Sequence, residues 1–183
     1  MKKAPLAEFR GVSKGFGKKL ALDNVTLTIG RGKVIGLLGP NGSGKTTMIK
    51  LMNGLIRPTK GELFIDGKTP GVYTKSIVSY LPDRTYFADW MNVKDVLSMF
   101  DEFYEDFDRS KAEKMCAALN IDKEDRIKTM SKGTREKVQL ILVMSRNAQL
   151  YLLDEPIAGV DPAARDYILT TIINNYNEEG TVI

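Results

Sequence analysis

Nine residues near the start of the chain have the types and spacing needed to hold a chain of phosphates. The run that matches the pattern G-x-x-x-x-G-K-[ST] is Gly39-Pro40-Asn41-Gly42-Ser43-Gly44-Lys45-Thr46-Thr47. Glycines let the backbone fold tightly, so that successive N–H groups point at one anion. Lys45 can neutralise the β- and γ-phosphates, and Thr46 can offer its hydroxyl to Mg²⁺. The run therefore predicts a site for a magnesium nucleotide.

A second motif, further along the chain, is an apolar run that ends in two acids. Its residues are Tyr151-Leu152-Leu153-Asp154-Glu155-Pro156. The pattern predicts a buried strand, which would place Asp154 at the carboxyl edge of a sheet, beside the phosphate loop. There Asp154 can hold Mg²⁺ directly or through water, and Glu155 can orient and deprotonate an attacking water. The two motifs together predict hydrolysis of a magnesium nucleotide.

The segments around these motifs predict an α/β fold. Residues 34–38 form a continuous apolar run, which is typical of a strand buried on both faces of a parallel sheet. A helix is predicted from residue 44 to about residue 55, because apolar residues recur there at helical spacing. Other strands are predicted at residues 7–12, 25–29, 62–65, 76–81 and 150–153, and one begins at residue 181.

The acidic stretch between these strands is helical in pattern, from about residue 89 to residue 130. The order of elements therefore predicts a P-loop core, an N-terminal antiparallel β subdomain and an inserted α-helical subdomain at about residues 85–135. Cys116 is expected to pack in a core, and the acids at residues 101–108 are expected to form a solvated helix face.

Composition excludes several other kinds of site. The 183 residues contain no histidine, which excludes a Ser-His-Asp hydrolase and a histidine-ligated zinc enzyme. Cys116 is the only cysteine, which excludes a disulfide framework and a cysteine-rich metal site. No apolar stretch has the length of a membrane span, and the first residues lack the apolar run of a signal peptide.

Charge is distributed unevenly along the chain. The net charge is +4, but residues 83–125 contain 12 acids and 6 bases, so this segment carries −6 and the remainder +10. A protein surface with a large positive charge can bind nucleic acid. The basic residues outside residues 83–125, however, form no dense run and are not interleaved with aromatic residues. We therefore expect a solvated surface with one anion site and no nucleic-acid partner.

Taken in order, these motifs resemble the ATP-binding subunit of an ABC transporter, of the bacterial multidrug and export type, over nearly the whole chain. Residues 39–47 look like its Walker A loop and residues 150–155 like its Walker B motif. Phe16 stands where the family places an aromatic that stacks on adenine. The run Met130-Ser131-Lys132-Gly133-Thr134 occupies the place of the LSGGQ signature, and Asp161 that of the D-loop aspartate.

The resemblance implies an ATPase in which two subunits, identical or different, close head to tail on ATP and Mg²⁺. ATP at the Walker A loop of one subunit would be covered by Ser131, Lys132 and Gly133 of the other. The resemblance also implies that the segment with Tyr86, Phe87 and Trp90 receives an integral membrane subunit. The protein would then be cytoplasmic, peripheral on the inner face of the cell membrane, and would power transport, with export as the expected direction.

The aromatic segment has an alternative interpretation, since the same three rings could pack in the core of the helical lobe. Two alternatives to the whole function were also weighed. A soluble ABC-type ATPase acting on nucleic acid or ribosomes predicts coiled-coil insertions or a second cassette, and neither is visible in the sequence. A P-loop kinase or GTPase needs a substrate lid or an N-K-x-D motif, and no N-K-x-D occurs.

The sequence departs from the family pattern at three places. The signature has Met130, Lys132 and Thr134 in place of leucine, glycine and glutamine. Asp83 stands where the family has glutamine; it can bind Mg²⁺ but cannot donate a hydrogen bond as an amide can, and a solvated loop acid is the alternative. The sequence ends at Ile183, before the position of the family's switch histidine, so we expect a single ATPase domain truncated at its C-terminus and inefficient in hydrolysis by itself.

Overall fold

A computed structural model describes residues 4–156 and 162–183, except for the side chains of residues 162–164. The chain divides into two compact units. The first unit contains the described residues up to Tyr80 together with Ala148–Asp154 and Asn177–Ile183, and the second contains Leu81–Asn147 and Glu155–Tyr176.

The first unit begins with an antiparallel sheet. Its strands are β1 (Ala7–Phe16), β2 (Lys19–Ile29) and β3 (Lys60–Ile65), in the order β2-β1-β3. Phe9, which is fully buried, lies opposite Leu27 on β2 and Leu63 on β3. The strands predicted at residues 7–12, 25–29 and 62–65 are confirmed. β1 and β2 extend further than predicted, because they form one hairpin that turns at residues 17–18.

A second sheet in this unit holds the second motif. Besides the first sheet, the chain here forms α1 (Lys45–Met52), α2 (Val72–Ile77), β4 (Val78–Leu81), β5 (Leu150–Leu153) and β6 (Thr181–Val182). The strand order is β4-β5-β6, and β5 and β6 are parallel. All four residues of the central strand β5 are buried, as the apolar run predicts.

The prediction of a buried strand at residues 34–38 is wrong. Val34 makes an isolated parallel bridge with Val182, and the N–H of Ile35 donates to the Val182 carbonyl at 2.8 Å. Leu38, at the other end of the run, is 94% exposed. The pairing is short because β6 contains only two residues, so within the described chain the rest of the run has no strand beside it.

Two other boundaries differ from the predictions. Residues 76–77 complete α2 rather than begin a strand. The start of this helix is held by Thr74, whose hydroxyl accepts from the Gly71 N–H at 2.8 Å and donates to the Gly71 carbonyl at 3.0 Å. α1 ends at Met52, since Gly54 adopts a φ of +68° that stops the helix.

The second unit is helical around its own core. It contains α3 (Val93–Phe103), α4 (Arg109–Ala118), a 3₁₀ turn (Ile127–Thr129), α5 (Lys132–Met144) and α6 (Pro162–Asn175). The predicted helical pattern between residues 89 and 130 is confirmed, although it is broken into separate helices. The core contains Cys116, as predicted, and burial raises the pKa of its thiol. None of the helices described here is long and apolar enough to cross a membrane.

Candidate functional site

The phosphate-loop motif forms an exposed turn that leads into α1. Residues 39–43 are exposed, and Gly42 and Gly44 have φ angles of +82° and +97°. A Cβ at Gly44 would lie 2.6 Å from the carbonyl oxygen of Ala21, so only glycine fits at the start of this helix. The loop therefore needs its glycines for backbone geometry, as the motif predicts.

The amino end of α1 is open to an anion. Gly44 is the N-cap, no side chain caps the helix, and its first turn contains no acidic residue. The first N–H groups of a helix have no partners inside the helix and carry the positive end of its dipole. Directly after the glycine-rich turn, these groups are suited to bind a phosphate.

Lys45 reaches back over this loop. Its ammonium donates to the carbonyl oxygens of Gly39 at 2.8 Å and Pro40 at 3.1 Å. The cation is therefore held beside the turn, where it can exchange weak carbonyl contacts for the stronger attraction of a phosphate. Thr47, the third residue of α1, is half-buried.

Thr46 and Asp154 meet in the first unit although they are far apart in the sequence. The hydroxyl of Thr46 donates to Asp154 Oδ1 at 2.9 Å. Asp154 follows the buried strand β5 and is 2% exposed. The two side chains predicted to hold Mg²⁺ are thus in direct contact beside the phosphate loop.

The donors at this position fit magnesium. Mg²⁺ prefers oxygen ligands and is usually bound by one or two carboxylates together with phosphate oxygens and water. Among the residues that the structure describes, no three His, Cys, Asp or Glu side chains cluster around a common point. The hydroxyl of Thr46 and the carboxylate of Asp154 are thus oxygen donors of the kind that Mg²⁺ takes beside phosphates.

Glu155 has a backbone conformation that is unusual for its residue type. Its φ is +54°, and its side chain is exposed immediately after the buried Asp154. A non-glycine residue in the left-handed region costs about 1–3 kcal/mol, and such residues are common at functional sites. The sharp turn separates the two acids, leaving one buried in the first unit and the other exposed in the second.

Phe16, the residue predicted to stack on adenine, lies at the end of β1 and is 50% exposed. The ammonium of Lys14 lies 5.0 Å from the centre of its ring. An exposed ring with a cation over it can serve as a platform for a flat, electron-rich group.

The signature residues form the exposed amino end of α5 in the second unit. Ser131 is the N-cap, and its hydroxyl oxygen accepts from the N–H of Thr134 at 3.1 Å. The hydroxyl of Thr134, which replaces the family's glutamine, lies 2.8 Å from the same oxygen. Lys132 and Gly133 are exposed, and the Lys132 ammonium lies 3.7 Å from Glu136. This helix end is a second place where an anion can bind N–H groups.

Asp83 and Asp161 are the remaining predicted polar residues. Asp83 is exposed in the loop after β4, in the second unit, and lies 3.9 Å from the guanidinium of Arg84. Gln139, a buried residue of α5, donates to the Arg84 carbonyl at 3.3 Å, a contact that the sequence gives no sign of. Asp161 lies outside the described residues.

Of the three aromatic residues Tyr86, Phe87 and Trp90, one packs in the helical core and two are exposed. Phe87 packs against the helical core, as the core interpretation expects. Trp90 is 75% exposed and Tyr86 is also exposed, although its ring lies 4.8 Å from that of Phe87. Exposed aromatic rings are typical of protein–protein interfaces.

The expectation that the acids at residues 101–108 form a solvated helix face is confirmed for Asp101 and Glu102, which are exposed on α3, and wrong for the later acids, because α3 ends at Phe103. Asp106 accepts two hydrogen bonds from Arg146, at 2.8 and 3.1 Å, and Arg146 is only 3% exposed. Asp108 caps α4 by accepting from the N–H of Lys111 at 2.8 Å. The sequence shows that Asp106 is charged, but its spacing does not reveal the distant Arg146 that pairs with it.

Comparison with known proteins identifies the family. Residues 22–158 match the family model described as ABC transporter. The chain is 32% identical over 182 residues to the ABC transporter ATP-binding protein YtrB of Bacillus subtilis, which covers 97% of this chain and 62% of that protein. It is 36% identical over 159 residues to the zinc import ATP-binding protein ZnuC of Rickettsia conorii, covering 86% of this chain and 65% of that protein.

A solved structure agrees with the sequence relatives. A putative ABC transporter ATP-binding protein from Pyrococcus furiosus superposes with a TM-score of 0.81 at 28% identity, covering 96% of this chain and 89% of that one. The chain thus spans less than two thirds of the two curated relatives, YtrB and ZnuC. The family match, the relatives and the shared fold show that the chain belongs to the ATP-binding proteins of ABC transporters.

Proposed function

We propose that this chain binds MgATP at residues 39–47 and Asp154, and hydrolyses it within a head-to-tail dimer that powers transport by a separate membrane subunit. The observation that carries the proposal is the 2.9 Å hydrogen bond between Thr46 and Asp154, directly beside the open end of α1. It joins a hydroxyl and a buried carboxylate at the place where a nucleotide's phosphates would need a metal.

Each residue of the first unit has a distinct part in this proposal. Lys45 exchanges its contacts with the loop carbonyls for the β- and γ-phosphates, and the amides of the loop and of α1 bind the phosphate oxygens. Phe16 stacks on the adenine. Thr46 and Asp154 hold Mg²⁺, which would neutralise charge on the phosphates when bound. Asp83 is proposed as a further, weaker contact to the metal.

The second unit supplies the water-activating acid and the surface for the other subunit. Glu155 orients the attacking water and accepts its proton, for which an exposed carboxylate directly after the metal-binding acid is suitable. Ser131, Lys132 and Gly133 offer an exposed helix end to the γ-phosphate of ATP on the second subunit. Asp161 is proposed to act at the same interface.

The membrane partner is proposed to dock at the exposed rings of Tyr86 and Trp90, with Phe87 supporting them from the helical core. Such a partner would hold this protein at the inner face of the cell membrane. The named relatives include a zinc import protein, ZnuC, and a peptide export protein, SkfE of Bacillus subtilis, so they support transport without favouring export. The same names give no support to the alternative of an ATPase acting on nucleic acid or ribosomes.

The magnesium part of the proposal is tested by Asp154→Asn. Asparagine keeps an oxygen that can accept from Thr46 but loses the charge, so we expect Mg²⁺ to strengthen ATP binding in the parent and not in the variant, a difference of about tenfold or ~1.4 kcal/mol. Calorimetric titration with ATP, with Mg²⁺ or with EDTA, measures this. Asp23→Asn, an exposed acid on β2, is the matched control and should keep the full effect. An Asp154→Asn variant with an undiminished response to Mg²⁺ would contradict the assignment.

A further inference from the structure

One lysine in the second unit joins the ends of three helices. Lys111, in the first turn of α4, donates from its ammonium to the carbonyl oxygen of Met144 at 2.7 Å and to that of Asn175 at 2.6 Å. Met144 is the last residue of α5 and Asn175 is the last residue of α6. The side chain thus connects the carboxyl ends of two helices that are distant in sequence.

The contact is favourable for electrostatic reasons. The last carbonyls of a helix have no partners within the helix and carry the negative end of its dipole, so a cation is stabilised there. Both distances are short, as expected for hydrogen bonds from a charged donor. Burial lowers the pKa of Lys111, with the charge of Asp108 acting in the opposite direction, so the ammonium depends on these carbonyls for its solvation.

Neighbouring hydrogen bonds fix the start of α4 on the end of α5. The N–H of Asp108 donates to the Ser145 carbonyl at 2.7 Å, and the N–H of Asn147 donates to the Asp106 carbonyl at 2.9 Å. The buried guanidinium of Arg146 pairs with Asp106 and lies 3.9 Å from the ring of Tyr104. Lys111 extends this junction to α6, because its second hydrogen bond goes to Asn175.

The opposite ends of the two joined helices carry residues with proposed roles. α5 begins at the signature segment, Ser131 to Gly133, and α6 begins at Pro162, directly after Asp161. The helices contain 13 and 14 residues, so each extends about 20 Å from the junction at 1.5 Å per residue. A rotation of about 10° at the junction would therefore move the far end by about 3.5 Å, and displacements of about 1 Å can already cost a hundredfold in rate.

We propose that Lys111 is a positioning residue, whose ammonium holds the carboxyl ends of α5 and α6 together so that their amino ends meet the second subunit in a fixed geometry. The inference rests on the head-to-tail dimer proposed above. It predicts that loss of Lys111 weakens formation of the ATP-bound dimer while leaving binding of nucleotide to the monomer intact, since the phosphate loop belongs to the first unit.

The test compares Lys111→Met with Lys114→Met. Lys114 is an exposed lysine of the same helix, and both lysines line one open groove of about 400 Å³. Both are made in the full chain carrying Glu155→Gln, to slow turnover. Calorimetry at low protein concentration gives the affinity for MgATP, and sedimentation at saturating MgATP gives the dimer dissociation constant. For Lys111→Met we expect an unchanged affinity, within twofold, and a dimer weakened by tenfold or more. Lys114→Met should change neither.

Two more variants separate positioning from general damage. Lys111→Arg keeps a multiple donor and should recover the dimer to within about threefold of the parent. Lys111→Gln can still donate to the two carbonyls without a charge, and should give an intermediate loss even if Lys111→Met does not fold. A dimer of parental strength in Lys111→Gln and Lys111→Met, or an equal loss of monomer affinity for MgATP, overturns the inference. If the parent does not dimerise with MgATP, the proposed function is overturned and this inference with it. If the parent dimerises and Lys111→Met and Lys111→Gln dimerise as strongly, only this inference is overturned.

Discussion

Replacing Lys45 with alanine is expected to abolish binding of MgATP, with a loss of at least a hundredfold in affinity. The ammonium of Lys45 lies over the phosphate loop, within 2.8 Å of the Gly39 carbonyl and 3.1 Å of the Pro40 carbonyl. Lys45 is the only cationic residue of the motif, so a triphosphate bound to the variant would lack this charge. A hundredfold loss of affinity corresponds to about 2.7 kcal/mol of binding free energy. Calorimetric titration with MgATP measures the change.

The control for this prediction is Lys50→Ala, a lysine at the other end of the same helix. Lys50→Ala changes the net charge and the composition of α1 in the same way as Lys45→Ala, but residue 50 lies away from the amino end of the helix. The affinity of this variant for MgATP should therefore stay within about twofold of the parent. Both variants should fold, since the Lys45 hydrogen bonds are exposed ones. An affinity for MgATP that is the same in Lys45→Ala as in the parent would remove the phosphate-loop assignment.

Replacing Glu155 with glutamine is expected to trap a dimer with ATP bound. Glutamine has the same shape as glutamate and can orient a water, but it cannot accept the water's proton, so hydrolysis should fall by a factor of about 10²–10⁴. The substitution also keeps a non-glycine side chain at a φ of +54°, so the backbone strain of the parent is unchanged. ATP bound between two subunits would then persist, because the step that releases them is slow.

Light scattering at saturating MgATP measures the mass of the Glu155→Gln variant, which should double relative to the nucleotide-free state. Glu178→Gln, an exposed acid in the first unit, provides the matched control and should behave as the parent does. If the Glu155→Gln variant remains monomeric while ATP is demonstrably bound, the head-to-tail mechanism does not apply to this chain.

The sequence predicts the contact between Thr46 and Asp154 because Asp154 directly follows a buried strand and Thr46 lies at the start of the helix after the glycine-rich turn. β5 is apolar at all four positions and buried at all four, so the acid that follows it must emerge at the edge of the sheet. The glycines of the loop were predictable for a similar reason, since a turn of this shape requires left-handed φ angles that other residues rarely adopt.

Features that depend on distant partners were not predictable. Residues 34–38 have the composition of a buried strand, but burial requires a strand on each side, and β6 pairs only with the start of the run. Likewise Asp106 and Lys111 appear in the sequence as surface charges of an acidic lobe. Their structural roles depend on Arg146 and on the carbonyl ends of α5 and α6, which no local spacing reveals.

The central claim is that a complete ATP site combines the phosphate loop of one subunit with the signature of another. It is tested by mixing two inactive variants, Lys45→Ala and Gly133→Asp, both in the Glu155→Gln background. Among the described residues outside its own helix, none has an atom within 4 Å of a Cβ placed at Gly133, and an acid in the first turn of α5 suits the helix dipole. Gly133→Asp should therefore fold normally while repelling the γ-phosphate.

Each variant alone should stay monomeric with MgATP in analytical ultracentrifugation, because every head-to-tail site in its homodimer contains the defect. In an equimolar mixture, the intact loop of the Gly133→Asp chain faces the intact signature of the Lys45→Ala chain, so a heterodimer with one intact site should form. A mixture that remains monomeric while the Glu155→Gln parent dimerises, or a Gly133→Asp variant that dimerises alone as strongly as that parent, would contradict the shared site.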